Sequence, residues 1–157
     1  MYFLGCFIIL LTLIFDVMFQ VTVGAIVIKS QLIALFFCYI VFRRSFKYMM
    51  ILLLVYMFML APFTNVKIIP LFLSYFLVLS LFYYLRIQLF SESYIIQSFW
   101  VCVIYCLQQF LRVIFVVNTW ELKAISVFFI TTLLNALLLV LFALPCFMLW
   151  DKWFDFF

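Results

Sequence analysis

The sequence predicts an all-α fold: a polytopic membrane bundle of six transmembrane helices, in a single integral membrane domain covering residues 1–157. Three observations carry this expectation. The chain is 73% hydrophobic and only 9% charged, with a mean hydropathy of +1.48, whereas soluble domains hold roughly 45–50% apolar and about 25% charged residues. The apolar residues come in continuous runs without two-residue alternation, which selects helices over a barrel. Short polar connectors separate the runs, and at about 20 residues per crossing the length leaves room for five to seven helices and no extramembrane domain.

The first run, residues 2–17, lacks the basic start and small-residue cleavage site of a signal peptide and is expected to persist as a helix. A mixed stretch at 18–29, with Gln20, Thr22 and Gly24, leads to a second run at 30–42, closed by Arg43, Arg44, Ser45, Phe46 and Lys47. The third, 48–61, stops where Pro62, Thr64, Asn65 and Lys67 favour a turn. The fourth spans 68–85, and residues 86–93, with Glu92 between two serines, connect it to the fifth at 94–117. Asn118, Thr119, Glu121 and Lys123 precede the sixth, 124–150, which carries Pro145 near its end. The proline frees a backbone carbonyl near Leu141 and is expected to bend the helix. Because the second and third runs are short, they are expected to borrow flanking residues or to sit in thinned membrane. A five-helix reading, with the first two runs divided differently, is the alternative.

Basic residues near helix ends set the orientation. Six helices place Arg43, Arg44, Lys47, Arg86 and Lys152 on the side of both termini, five against the three of Lys29, Lys67 and Lys123. Both termini are therefore expected to be cytoplasmic. The formal net charge of +4 then reads as an anchor to membrane lipids, with no nucleic acid implied.

The composition also restricts chemistry. There is no histidine, which removes the commonest metal ligand and the usual general base near neutral pH. Cys6, Cys38, Cys102, Cys106 and Cys146 show no CxxC spacing and fall in or beside apolar runs, where they read as inert thiols. No enzymatic activity, cofactor or metal is expected.

What remains is polar groups at membrane depth. On the fifth helix Tyr94, Gln97, Ser98, Tyr105, Gln108, Gln109 and Arg112 fall within an arc of about 120°. Lipid rejects that stripe, so it must glue the bundle together, line a substrate or ion pathway, or bind a partner. On the first helix Gly5, Ile9, Thr12 and Asp16 share a face. Asp16 lies about 21 Å along its helix and Arg112 about 27 Å along the fifth, which makes them candidates for an ion pair unless each snorkels independently. On the sixth, Ala124, Thr131, Thr132, Asn135, Ala143 and Cys146 share an arc of small and polar residues suited to a close helix contact. Asn135 must pair with a neighbouring helix, in this chain or in a partner. Residues 151–157, rich in aromatic and acidic side chains, read as an interfacial anchor.

The segment 132–150 resembles the last helix of the rod-shape-determining protein MreD family, in which an Asn in an LLN-like start is followed about ten residues on by a Pro. Here these are Asn135 and Pro145. The tight basic loop at 43–47, the segment Ser74, Tyr75, Phe76, Leu77 leading to Tyr84 and Arg86, and Leu89 with Phe90 fit the same outline nearly end to end. The third helix lacks the glycines and acidic residue usual in that family. The resemblance implies a non-enzymatic membrane scaffold subunit of the bacterial cell-elongation machinery, in the cell inner membrane, serving cell shape and peptidoglycan synthesis. The partners it implies are an MreC-like bitopic protein, the actin-like MreB, a SEDS glycosyltransferase and a class B penicillin-binding protein. The stripe on the fifth helix and the face of the sixth give Gln108, Gln109, Arg112, Asn135 and Pro145 as partner-binding or helix-packing residues. The alternatives are an organelle-encoded subunit of a respiratory or ATP-synthase complex, and a small-molecule-binding transporter component.

Overall fold

A computed structural model describes residues 2–18, 21–23, 26–28, 31–63, 68–89, 93–116 and 122–156. In chain order the elements are α1 (Tyr2–Met18), β1 (Val21–Val23), β2 (Ile26–Ile28), α2 (Leu32–Arg43), α3 (Phe46–Leu60) with a 3-10 turn (Ala61–Phe63), α4 (Ile68–Leu89), α5 (Tyr94–Val116) and α6 (Leu122–Phe156). Gln20, Gly24, Lys29, Ser30, Thr64, Asn65, Lys67, Phe90, Glu92, Asn118, Thr119 and Glu121, on which parts of the sequence reading rest, lie outside the described residues.

Six helices form, as the six apolar runs predict, and three of them fall short of full spans. α4, α5 and α6, with 22, 23 and 35 residues, are long and apolar enough to cross a membrane. α1, α2 and α3 have 17, 12 and 15 residues. The fold also departs from a purely helical one. Val21 to Val23 pair antiparallel with Ile26 to Ile28, Val21 opposite Ile28 and Val23 opposite Ile26. The strands are Val-Thr-Val and Ile-Val-Ile, and β-branched side chains fit a pleated ribbon better than a helix.

α2 sits at the centre and touches each of the other five helices. Its sequence is apolar on every side, which is the signature of a helix buried all round, and all of residues 33–41 are buried. Aromatic side chains join it to α3, α4 and α6. The Tyr39 ring stacks on Phe154 at 5.7 Å and meets Trp150 at 5.4 Å, while Phe36 meets Trp150 edge-on at 5.2 Å, all across to α6. Phe37 points elsewhere, to Tyr56 of α3 at 5.6 Å and Tyr75 of α4 at 6.0 Å. Such pairs prefer tilted or offset geometries and add about 0.5–1.5 kcal/mol each beyond burial.

The turn from α2 to α3 follows from two residues. Arg44 is extended, at φ −123° and ψ 172°, and ends α2, and Ser45 then caps α3 by accepting a hydrogen bond from Tyr48 N at 3.4 Å. α1 packs on α3 through Gly5, where an added Cβ would stand 2.5 Å from the Tyr48 hydroxyl oxygen and 2.8 Å from Leu52 Cδ1. The buried face of α1, Gly5, Ile8, Ile9, Thr12 and Leu13, includes three of the four residues grouped by sequence spacing.

These contacts define two ends. At the hairpin end α1 finishes, α2 starts, and the partners of β1 and β2 include α6. At the tail end Arg43, Arg86, Tyr94 and Asp151 gather from α2, α4, α5 and α6. Outward faces are apolar: Phe7, Ile14, Leu54, Phe58, Leu77, Leu81, Phe99, Leu133, Leu137, Leu141 and Met148 are all exposed. An apolar surface of this extent suits lipid and not water.

Gly5→Ala should destabilise the bundle by about 1–3 kcal/mol, because overpacking outweighs alanine's helix propensity, which is worth about 1 kcal/mol. Equilibrium denaturation in micelles measures this, and a more stable variant would show that α1 is free to move off α3.

Candidate functional site

The polar residues singled out in the sequence lie mostly inside the bundle. Gln97, Ser98, Tyr105, Gln108 and Gln109 of α5 are buried, and Arg112 is half-buried. The opposite side of α5, with Phe110 and Ile114, faces outward. Asn135, Thr132 and Ala143 of α6 are buried as well. Pro145 is exposed on a helix that continues through it as one element. Four hydroxyls are satisfied within their own helices, whereas Ser80 Oγ of α4 is buried without a hydrogen-bond partner among the described residues. Thr12 donates to Ile8 O at 2.9 Å, Ser74 to Leu71 O at 2.8 Å, Ser98 to Tyr94 O at 2.8 Å and Thr131 to Val127 O at 2.9 Å.

At the hairpin end, five helices contribute to one polar cluster. Gln109 Nε2 donates to Gln31 Oε1 at 3.3 Å and to Gln108 Oε1 at 3.1 Å. Gln31 opens α2 with φ +45°. The Tyr56 and Tyr75 rings meet edge-on with their centres 5.8 Å apart. Asp16 reaches the start of α2 at Leu32, and Arg112 follows three residues after Gln109, which bonds Gln31, so the two charges stand at the same end of the bundle.

They do not form the expected ion pair. The ion pair within 4 Å among the described residues joins Arg43 to Asp151. Asp16 Oδ1 accepts from Leu32 N at 2.8 Å and Oδ2 from Ile33 N at 3.4 Å. Asp16 thus meets the N-terminal end of α2, whose first amides have no partner within the helix and carry its positive pole. Gln31 holds the N-cap position but makes no side-chain cap, so the carboxylate from α1 does that work.

At the tail end a second cluster surrounds Asp151. Tyr39 donates to Oδ1 at 2.9 Å, Tyr94 donates to Oδ2 at 2.7 Å, and Arg43 Nη2 lies 3.4 Å from Oδ2. Arg43 also stands 5.2 Å from the Tyr94 ring centre, and Arg44 4.5 Å from that of Phe154. Arg86 donates to Val41 O at 3.2 Å and Arg44 O at 2.8 Å, closing the C-terminal end of α2, with its guanidinium over Tyr83 at 4.2 Å. Residues 151–156 continue α6 as its last turns, with Phe154 buried against α2.

Sequence reasoning missed Gln31, Tyr39, Tyr56, Tyr75 and Asp151. The available signal was tyrosine in runs otherwise filled with Phe and Leu, since a buried hydroxyl needs a partner. Among the described residues no group of three or more His, Cys, Asp or Glu could hold a metal ion. No family model, no characterised protein and no solved structure matches the chain.

Removing the shared acceptor should cost more than removing one donor. Asp151→Ala is expected to lower stability by about 2 kcal/mol or more and Tyr39→Phe by about 1 kcal/mol, hydrogen bonds to a charged group being worth about 1.5–3 kcal/mol. Thermal unfolding of the two variants in micelles measures the difference, and an Asp151→Ala variant as stable as the parent would contradict this role.

Proposed function

We propose that the protein is a non-enzymatic scaffold subunit that crosses the bacterial inner membrane six times with both termini in the cytoplasm. In the reading the MreD resemblance suggests, it recruits the transmembrane helix of an MreC-like bitopic partner within the cell-elongation machinery. Catalytic residue types are sparse, and the polar groups that lipid would reject are mostly turned inside the bundle. What the bundle offers outward is shape.

The observation that carries the reading is a mismatch confined to one side. α1 and α3, both facing outward in part, have 17 and 15 residues, or about 26 and 22 Å at 1.5 Å per residue. The hydrocarbon core is about 30 Å thick. Lipid packed along this side must thin, at a cost of fractions of a kcal/mol per Å that drives helix association. The longer α4, α5 and α6 impose no such shortfall. An apolar groove of about 280 Å³ opens on the short side between α3 and α4, lined by Leu54, Met57, Phe58, Ala61, Ile68, Ile69 and Phe72. Phe58 and Ile69 stand on its rims at 79% and 80% exposure. A partner helix seated there replaces mismatched lipid by protein and fills the groove with side chains, and packing of this kind drives association within a membrane.

The double variant Phe58→Ala and Ile69→Ala should reduce copurification of the bitopic partner several-fold while membrane abundance stays at the parental level. Leu133→Ala on the outward face of α6 should change neither. Equal capture by all three proteins would remove the groove from the account, and no capture by the parent would remove the elongation partner.

Orientation is open to a separate check. In a cysteine-free background, a cysteine replacing exposed Ser45 at the tail end should resist an impermeant thiol reagent added to intact cells, while one replacing exposed Pro62 at the opposite end should react. The reverse pattern would invert the topology.

A further inference from the structure

We propose that the cluster around Arg112 and Gln108 is a binding site for an oxyanion, a phosphate or carboxylate group that enters from the hairpin end. This goes beyond the scaffold reading and does not depend on it.

The cluster leaves a buried donor without an acceptor among the described residues. Gln109 donates its amide hydrogens to Gln31 and Gln108. Gln108 is only 3% exposed, and although its Oε1 accepts from Gln109, its Nε2 has no hydrogen-bond partner among the described residues. An unpartnered buried amide is costly unless something outside the chain accepts from it. Arg112 lies one turn further along the same face of α5, where residues four apart are neighbours. Its guanidinium carries five donors and no acceptor. No carboxylate of the described residues pairs with it within 4 Å. Asp16, at the same end of the bundle, accepts from the first amides of α2.

Access and selectivity follow from position. Arg112 is half-buried and sits four residues before the end of α5 at Val116, so its head is near the headgroup region where arginine side chains extend. A planar guanidinium binds phosphate or carboxylate through two parallel hydrogen bonds, and Gln108 Nε2 would supply a third. A neutral ligand would leave the charge of Arg112 without an anion. The group could arrive as soluble phosphate or as the headgroup of an anionic phospholipid, and the test separates these sources.

The protein is purified in phosphate-free maltoside micelles, and its Tm is followed on adding inorganic phosphate or, separately, phosphatidylglycerol, with sodium chloride as the ionic-strength control. The parent should gain about 3 °C or more when ligand is tenfold above its Kd. A gain with both additions assigns a soluble oxyanion, and a gain with phosphatidylglycerol alone assigns a lipid headgroup. Arg112→Gln should lose the response. Gln108→Glu should lose it too, because it places a carboxylate one turn before Arg112 and so fills the site from within, and it carries the test alone if Arg112→Gln does not fold. No gain with either addition, or a gain that persists in Gln108→Glu, would overturn the proposal.

Discussion

A helix shut away from both lipid and water must have its end groups satisfied by protein, and α2 is such a helix. Its 12 residues sit against every other helix, and no solvent reaches its middle. Each unsatisfied amide or carbonyl in that setting would cost several kcal/mol. Two charged residues from other helices meet the demand. Asp16, from the last turns of α1, accepts from the first amides of α2, and Arg86, from the last turns of α4, donates to carbonyls at its other end. Both signs agree with the dipole of the helix they cap.

Much of the remaining architecture follows from that arrangement. Because Asp16 must reach Leu32, α1 has to run antiparallel to α2 and lie beside it, and Gly5 allows α1 also to approach α3 closely. Because Arg86 must reach Val41 and Arg44, α4 ends where α2 ends. Asp151 then ties α6 and α5 to the same end through Tyr39, Arg43 and Tyr94. The brevity of α1 and α3 beside the longer α4 leaves the one-sided mismatch that the proposed partner helix relieves. The long α6 lies on the other side, where its outward face is apolar from Phe129 to Met148 and suits lipid.

Helix number and order could be read from the sequence because continuous apolar runs in a chain this hydrophobic have few other structures open to them. The inward turn of the α5 stripe was legible for the same reason: lipid excludes a guanidinium and three amides. Where several partners satisfy the same rule, sequence alone could not choose. Asp16 required a positive counterpart, and Arg112 was the one visible as a charge, whereas a helix N-terminus carries its positive pole without any charged residue to mark it. Arg86 was placed in a connector because a charge after an apolar run ends the run on paper, yet α4 continues to Leu89 with that charge turned to the carbonyls of α2. Asp151 was assigned to the tail for the same reason. The β-hairpin was hidden by its length, since three-residue strands are too short to show a two-residue period.

Amide exchange at Leu32 tests the capping of α2 most directly. In the parent protein in lipid nanodiscs, deuterium exchange followed by NMR should find the Leu32 amide protected, although no residue of its own helix accepts from it. Asp16→Ala should abolish that protection and leave the amides in the middle of α4 protected, while Arg112→Leu should leave Leu32 unchanged. Protection that survives Asp16→Ala, or that is lost equally in Arg112→Leu, would contradict the central claim.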